Sequence, residues 1–156
     1  MYKLKPGIKR DPQRRWALSD RVFFGNGACH ILAGAYLLRP PLAGFYAERL
    51  IPGEGFAGNH VFVTNGRIAF DYHGYSDRIR LLQYLTRAWS KRYSDGWNGC
   101  LEKVDFDLLD TDDLNERKML GPDQYLGDSI ARAYRFMERI DHRVAAQKAD
   151  STIQKN

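Results

Sequence analysis

The clearest alternation of apolar and polar residues lies in GNHVFVTNGRIAFDYHGY, residues 58–75. Asn65-Gly66 at its centre favours a two-residue β-turn, because both turn positions need a positive φ that this pair tolerates. Such a turn would pair His60 with Asp71. One face of the hairpin would carry Val61, Val63, Ile68 and Phe70. The other would carry His60, Phe62, Asp71 and His73. The pattern therefore predicts a central hairpin over about 59–72.

Apolar residues recur at helical spacing in four further segments. Residues 28–38 fit a helix that stops before a Pro-Pro pair, and residues 42–50 fit a second short helix. Residues 76–93 begin with a Ser-Asp cap and continue with apolar residues three and four apart. The spacing over 123–148 predicts one long helix whose apolar stripe is Leu126, Ile130, Ala133, Met137, Ile140 and Val144.

A third strand is predicted over residues 100–108, where polar and apolar residues alternate again. Its inward face would carry Cys100, Glu102, Val104, Phe106 and Leu108, which predicts a core position for Cys100. The order helix, hairpin, helix, strand, helix indicates an α+β fold with a small antiparallel sheet and packed helices.

Length and composition favour one folded domain. The chain has 156 residues, of which 44% are hydrophobic and 13% aromatic, which is typical of a globular domain and not of a disordered chain. No internal repeat or linker interrupts it. We therefore expect an extended or mobile basic tail at 1–15, a single α+β domain at 16–150 and a disordered C-terminus at 151–156.

The charge distribution indicates which classes of partner to expect. The net charge of +5 belongs entirely to residues 1–15, while residues 16–156 are formally neutral. A basic tail can touch an acidic partner or nucleic acid weakly, but nucleic acid is not the expected partner of the domain. No apolar run approaches the roughly 18 residues that span a bilayer, and no secretory signal opens the sequence. We expect no membrane partner, and a cytoplasmic location.

Cys29 is the candidate nucleophile. It follows the turn FGNG and falls in the first turn of the helix predicted over 28–38. With Asn26 as the helix cap, Cys29 would be the third helical residue, where unpaired N–H groups and the helix dipole stabilise a thiolate. The same N–H groups could hold an oxyanion, so Asn26 and Gly27 are the candidate substrate-facing residues.

His60 and Asp71 complete the candidate site. An acid opposite a histidine can fix its tautomer and stabilise the imidazolium, so His60 is the expected base and Asp71 its orienting partner. Two other histidines are possible accessories. His73 lies on the same face and could replace His60 as the base. His30 points about 100° away from Cys29 around the helix, which favours a structural or capping role.

No metal ion or other cofactor is predicted. Cys29 and the histidines are suitable zinc ligands, but the sequence has no compact His-x-His or Cys-x-x-Cys spacing. A histidine opposite an acid is also more typical of an orienting pair than of a metal site.

The order of Cys29, His60 and Asp71 resembles that of the papain-like and transglutaminase-like cysteine enzymes, including the NlpC-type hydrolases. In that superfamily the cysteine begins a helix, the histidine follows on a strand and a polar partner follows on the next strand. The resemblance covers roughly residues 25–73. It implies a hydrolase or acyltransferase that acts on an amide or related acyl group, with a peptide-like or small acyl substrate.

Other interpretations remain open. Cys29 could be a buried core thiol, and His60 with Asp71 could be an ordinary cross-strand pair. The chain could instead be a non-catalytic interaction domain that binds a protein partner or a second copy of itself. That alternative uses the basic tail and the long helix 123–148 with its arginine strip, Arg132, Arg135, Arg139 and Arg143.

Overall fold

The computed structural model describes residues 4–153. Within them lie seven α-helices, two 3₁₀ helices (Ile8–Arg10 and Pro122–Gln124) and one five-stranded antiparallel sheet. The helices are α1 Pro12–Trp16, α2 Asp20–Gly25, α3 Cys29–Leu38, α4 Arg78–Ser90, α5 Thr111–Glu116, α6 Ser129–Met137 and α7 His142–Ile153. The strands are β1 Tyr46–Pro52, β2 His60–Thr64, β3 Ile68–Asp71, β4 Gly74–Asp77 and β5 Gly99–Lys103. The predicted α+β class is confirmed.

The sheet is covered by helices on both faces. Its strand order is β4-β3-β2-β1-β5, which puts β2 at the centre. Because successive side chains of a strand alternate between faces, Val61 and Val63 join the core under α3, whereas Phe62 packs in a second core with Leu81 and Leu85 of α4. All five residues of β2 are consequently buried.

Helix α3 is the central helix of the larger core. Seven consecutive residues, 30–36, are buried, so the helix needs an apolar surface all round rather than a single stripe. Gly34 allows close packing, because a Cβ atom there would lie 2.8 Å from the side chain of Leu109. Gly34 thereby lets α3 pack closely against the segment before α5, and Val61 on β2 meets the sulfur of Cys29 at the start of the helix.

The hairpin between β2 and β3 differs from the prediction by one turn position. Asn65 donates its N–H to the carbonyl of Ile68 (3.3 Å), so the turn centres on Gly66-Arg67. Of these two turn residues, only Gly66 has a positive φ, +92°. A type II′ turn requires this conformation at its first central position, where glycine is preferred. The side chain of Asn65 instead accepts the N–H groups of Arg67 and Ile68, both at 3.0 Å.

Moving the turn by one residue slides β3 by two residues along β2. Thr64 pairs with Ala69 and Val63 with Phe70, not with Arg67 and Ile68. A shift of two residues leaves each side chain on its predicted face. The predicted faces are therefore right and the predicted partners wrong.

The helix predicted over residues 42–50 is wrong. These residues lead into and form most of β1, which pairs with both β2 and β5. Helix-forming residues occupy a strand here because two neighbouring strands satisfy its backbone. Glu48 lies on the α4 side, where Arg78 donates to its carboxylate from Nε (2.8 Å) and Nη2 (2.9 Å).

The long helix predicted over 123–148 is also wrong, because the segment is divided into a 3₁₀ turn, α6 and α7. Asp128 accepts the N–H of Ala131 and begins α6, and Asp141 accepts the N–H of Val144 and begins α7. Caps of this kind start new helices even where the apolar residues continue at one helical spacing along the sequence. The arginine strip of the interaction-domain alternative is not a continuous surface, since Arg132 is buried.

Helical structure lies close to both ends of the described chain. In the segment predicted to be extended, Asp11 caps α1 by accepting the N–H of Arg14. Arg132 on α6 contacts the C-terminal end of α1 and the residues that follow it. It donates to the carbonyls of Trp16 (2.7 Å) and Leu18 (2.5 Å). At the other end α7 continues through residues 151–153, which were predicted to be disordered. Residues 1–3 and 154–156 lie outside the described residues.

The predicted strand 100–108 is shorter, and Cys100 is exposed rather than in the core. β5 is an edge strand whose inward residue is Leu101, which packs against Leu50 and its neighbours. The alternation was thus assigned to the wrong face. Among residues 4–153, no helix combines the length and apolar composition that a bilayer crossing requires.

We expect Asn65→Ala to lower the free energy of unfolding by about 1–2 kcal/mol, because two backbone N–H groups lose their acceptor. Urea denaturation measures the change. Asn65→Asp is the matched control, since it keeps an acceptor oxygen, and it should stay close to wild type. Equal stabilities of Asn65→Ala and wild type would contradict the side-chain-stabilised turn.

Candidate active site

Cys29 begins α3. The helix cap is Ala28, not Asn26 as predicted, so Cys29 is the first helical residue rather than the third. The backbone N–H groups of a first turn have no partner within the helix. The sulfur accepts the N–H of Val61 on β2 (3.4 Å). Cys29 as a residue is half-buried and packs against the larger core.

Asn26 and Gly27 form the link between α2 and α3. The Asn26 side chain donates from Nδ2 to the carbonyl of Val22 (2.9 Å) and ends α2. Gly27 has φ +113°, a conformation that favours glycine. Its carbonyl accepts the hydroxyl of Tyr125 (2.8 Å). Because the Asn26 amide is engaged in ending α2, backbone N–H groups are the better oxyanion donors.

His60 and Asp71 form a buried hydrogen-bonded pair on the predicted face, although they are not directly opposite each other as predicted. Nε2 of His60 donates to Oδ2 of Asp71 at 3.0 Å, and the two residues are only 5% and 3% exposed. The observed register places Phe62 opposite Asp71, so His60 reaches the carboxylate diagonally, a distance that a long side chain can span. With Nε2 engaged by Asp71, Nδ1 of His60 is the nitrogen left for the thiol.

The pKa values of the three groups support one another. Burial alone would raise the pKa of the Cys29 thiol, but hydrogen bonds with His30 and His60 and their positive charges hold it well below its usual value. Burial alone would lower the pKa of His60, but hydrogen bonds with Asp71 and Cys29 raise it to about 10. The pKa of Asp71 is lowered, because hydrogen bonds from His60 and His73 outweigh burial. The arrangement favours a thiolate and an imidazolium at neutral pH.

His30 is closer to the thiol than the helical wheel predicted. Its Nε2 donates to the carbonyl of Leu120 (2.8 Å), which fixes the buried ring, and a hydrogen bond with Cys29 contributes to the low thiol pKa. Side chains in a helix lean toward its N-terminus, which brings His30 back over Cys29. His30 therefore has both a structural contact and a contact with the candidate nucleophile.

His73 is a partner of the carboxylate. Its backbone N–H and Nδ1 donate to Oδ1 of Asp71 at 2.7 and 3.2 Å. Its ring also contacts Tyr72 and Tyr84. His73 thus helps to satisfy Asp71, and His60 keeps the position beside the thiol.

An aromatic cluster braces the loop that leads into His60. Trp97 donates from Nε1 to the carbonyl of Ala57, and the Tyr93 hydroxyl accepts the Ala57 N–H, both at 2.8 Å. Gly58 has φ +136°, and a Cβ atom there would lie 3.1 Å from Trp89 and Trp97. These aromatic residues were not predicted to lie near the site. The sequence signal for them is the glycine-rich stretch 53–58, GEGFAG, which needs an external surface to hold it.

Comparison with protein-family models, with curated proteins and with solved structures finds no match to this chain. Within residues 4–153, no group of three or more histidine, cysteine or acidic side chains is placed to hold a metal ion. The site is therefore interpreted from its own geometry.

We expect Asp71→Asn to reduce the rate at which iodoacetamide labels Cys29 at pH 6 by about tenfold. The substitution removes the negative charge that keeps His60 protonated, so the pKa of His60 falls. The Cys29 thiolate then loses the stabilising imidazolium, and the pKa of the thiol rises. Labelling rates across pH, with NMR titration of His60, measure both changes. Asp150→Asn is the control, because that exposed acid pairs with Arg67 away from the site. An unaltered labelling profile in Asp71→Asn would contradict the coupling.

Proposed function

We propose that the protein is a cysteine-dependent hydrolase or acyltransferase that acts on an amide or related acyl group through Cys29, His60 and Asp71. One observation carries the proposal. The thiol of Cys29, a half-buried residue at the start of a buried helix, is hydrogen-bonded to an imidazole that a buried carboxylate holds at 3.0 Å. A cross-strand pair on a wet face would not have this burial.

In the proposed reaction, the Cys29 thiolate attacks the acyl carbonyl carbon and forms a carbon–sulfur bond. Free N–H groups at the start of α3 stabilise the oxyanion. The carbon–leaving-group bond then breaks, and the leaving group takes the proton of the His60 imidazolium. Water, or an acceptor amine in a transferase, next attacks the thioester carbon while neutral His60 removes its proton. The carbon–sulfur bond then breaks, which releases the acid or the new amide and returns the thiolate. Asp71 orients the ring throughout, and the thiolate and imidazolium are regenerated.

The element order supports assignment to a papain-like arrangement. The cysteine begins a central helix, the histidine begins β2 and the acid ends β3, the sequence of elements expected from the resemblance. Nε2 of His60 is engaged by the acid, leaving Nδ1 toward the thiol. A peptide-like or small acyl substrate, and a reducing cytoplasmic setting for the two free cysteines, belong to the same proposal.

We expect iodoacetamide to label Cys29 at pH 6 at least tenfold faster than Cys100. Cys29 has two imidazoles that stabilise its thiolate, whereas Cys100 lies exposed on an edge strand and is an internal control. Peptide mass spectrometry separates the two sites. His60→Gln should move Cys29 labelling toward the pH range of an ordinary thiol, about 8.5. A wild-type Cys29 that labels only in that range would refute the mechanism.

We expect p-nitrophenyl acetate to give a burst of p-nitrophenolate close to one equivalent of protein, with acetyl recovered on Cys29. The thioester forms faster than water hydrolyses it, which is typical of covalent catalysis. Cys29→Ala should abolish the burst, and Cys100→Ala should leave it intact. A burst that survives Cys29→Ala would place the reactive group elsewhere.

A further inference from the structure

Two lining residues of a small cavity of about 260 Å³ form hydrogen bonds with Gly27 and His30. We call it the basic cavity. Its lining includes Lys9, Arg15, Trp16, Gln124, Tyr125 and Leu126. Its volume is below that of a typical ligand pocket, about 300–1,000 Å³, so it fits one end of a substrate rather than a whole peptide. Its two charged side chains are both cationic.

The walls of the basic cavity also hold the start of α3. Arg15 lies against Gly27, where a Cβ atom would be 3.0 Å from its Nη2. The Tyr125 hydroxyl donates to the carbonyl of Gly27 (2.8 Å), and the carbonyl of Leu120, another wall residue, accepts His30 Nε2 (2.8 Å). A group bound in the cavity would therefore sit next to the backbone that carries Cys29.

The cations of the basic cavity lack acidic partners. Within residues 4–153, the ion pairs involve other basic residues, and neither Lys9 nor Arg15 has a carboxylate within 4 Å. Arg15 instead stacks on the Tyr125 ring, 5.2 Å from its centroid. Burial and the neighbouring charge of Arg15 lower the pKa of Lys9, and the charge of a Cys29 thiolate opposes that shift. Two cations without a carboxylate partner, one of which interacts with the thiolate, can accommodate one more negative charge.

We propose that the basic cavity binds a carboxylate of the acyl substrate and so makes the enzyme selective for anionic acyl compounds. The inference rests on the proposed function and names the substrate class of the same site. Lys9 and Arg15 would neutralise the carboxylate, and Trp16 and Leu126 would pack against the carbon atoms that join it to the reacting carbonyl. Lys9 and Arg15 would thus determine specificity, while Cys29 and His60 carry out the chemistry.

The test compares two alkylating reagents of nearly equal size, iodoacetate and neutral iodoacetamide, on the full chain. We expect the ratio of their rate constants at Cys29 to fall about two- to threefold in Lys9→Gln and in Arg15→Gln, and about fivefold in the double variant. These sizes follow from removing a charge several ångströms away in a solvated site. Because a change in thiol pKa affects both reagents alike, the ratio isolates recognition of the anion.

Two further variants keep the test decisive. Arg15→Lys retains the charge and should retain most of the iodoacetate preference. Arg143→Gln removes an equal charge from an exposed position on α7 and should leave the ratio unchanged. Raising the salt concentration should lower the iodoacetate rate and spare the iodoacetamide rate. A ratio that is unchanged in Lys9→Gln/Arg15→Gln, or that falls as much in Arg143→Gln, overturns the proposal.

The two proposals fail in different ways. If Cys29 keeps its fast iodoacetamide labelling at pH 6 but shows no charge preference, the basic cavity does not select substrates and the catalytic proposal stands. If Cys29 reacts with iodoacetamide as an ordinary thiol, the catalytic proposal fails whatever the ratio, and the inference built on it fails too.

Discussion

The site depends on the buried contact between His60 and Asp71. Burying two ionisable groups costs several kcal/mol unless hydrogen bonds satisfy them. Asp71 meets this requirement with donors from His60 Nε2, the His73 backbone and the His73 ring. The carboxylate can then stay charged inside the protein, and its charge keeps the histidine protonated. Without that partner, the same burial would favour a neutral imidazole and an ordinary thiol. One hydrogen bond on the central strands therefore sets the chemistry of a cysteine on a different element.

Two separate packing arrangements bring the cysteine to that histidine. Helix α3 is buried along most of its length, so its first residue has little freedom relative to β2, and the Val61 N–H meets the sulfur directly. On the other side, the loop before His60 is held by Trp97 and Tyr93 through hydrogen bonds to Ala57. A nucleophile and a base gain from fixed relative positions, because orientation lowers the activation barrier without new contacts in the reaction. The aromatic cluster contributes to the site in this indirect way.

The sequence predicted the contact between His60 and Asp71 better than it predicted the strands and helices around it. Placing the turn on Asn65-Gly66 was an error, yet a two-residue slip preserves the faces of a strand, and His60 reaches Asp71 diagonally. Predictions that depended on one periodicity alone failed. Residues 46–50 join a strand because β2 and β5 pair with them, and residues 123–148 divide because Asp128 and Asp141 cap new helices. The mistaken cap at Asn26 has the same origin, since its amide serves the end of the preceding helix. Long-range pairing and competing caps are not visible in a local pattern.

The folded chain places some of the N-terminal positive charge near the candidate site. Residues 1–15 carry the whole net charge of the protein, which taken alone suggests a solvated tail. The structure folds residues 8–16 into helical turns, and Arg132 ties the end of that segment to α6. Arg15 consequently lies against Gly27, and Lys9 is close enough to Cys29 to interact with its charge. Positive charge at that place acts on a thiolate and on an approaching anion in the same direction. A segment predicted to be a tail outside the domain is therefore part of the wall of the basic cavity.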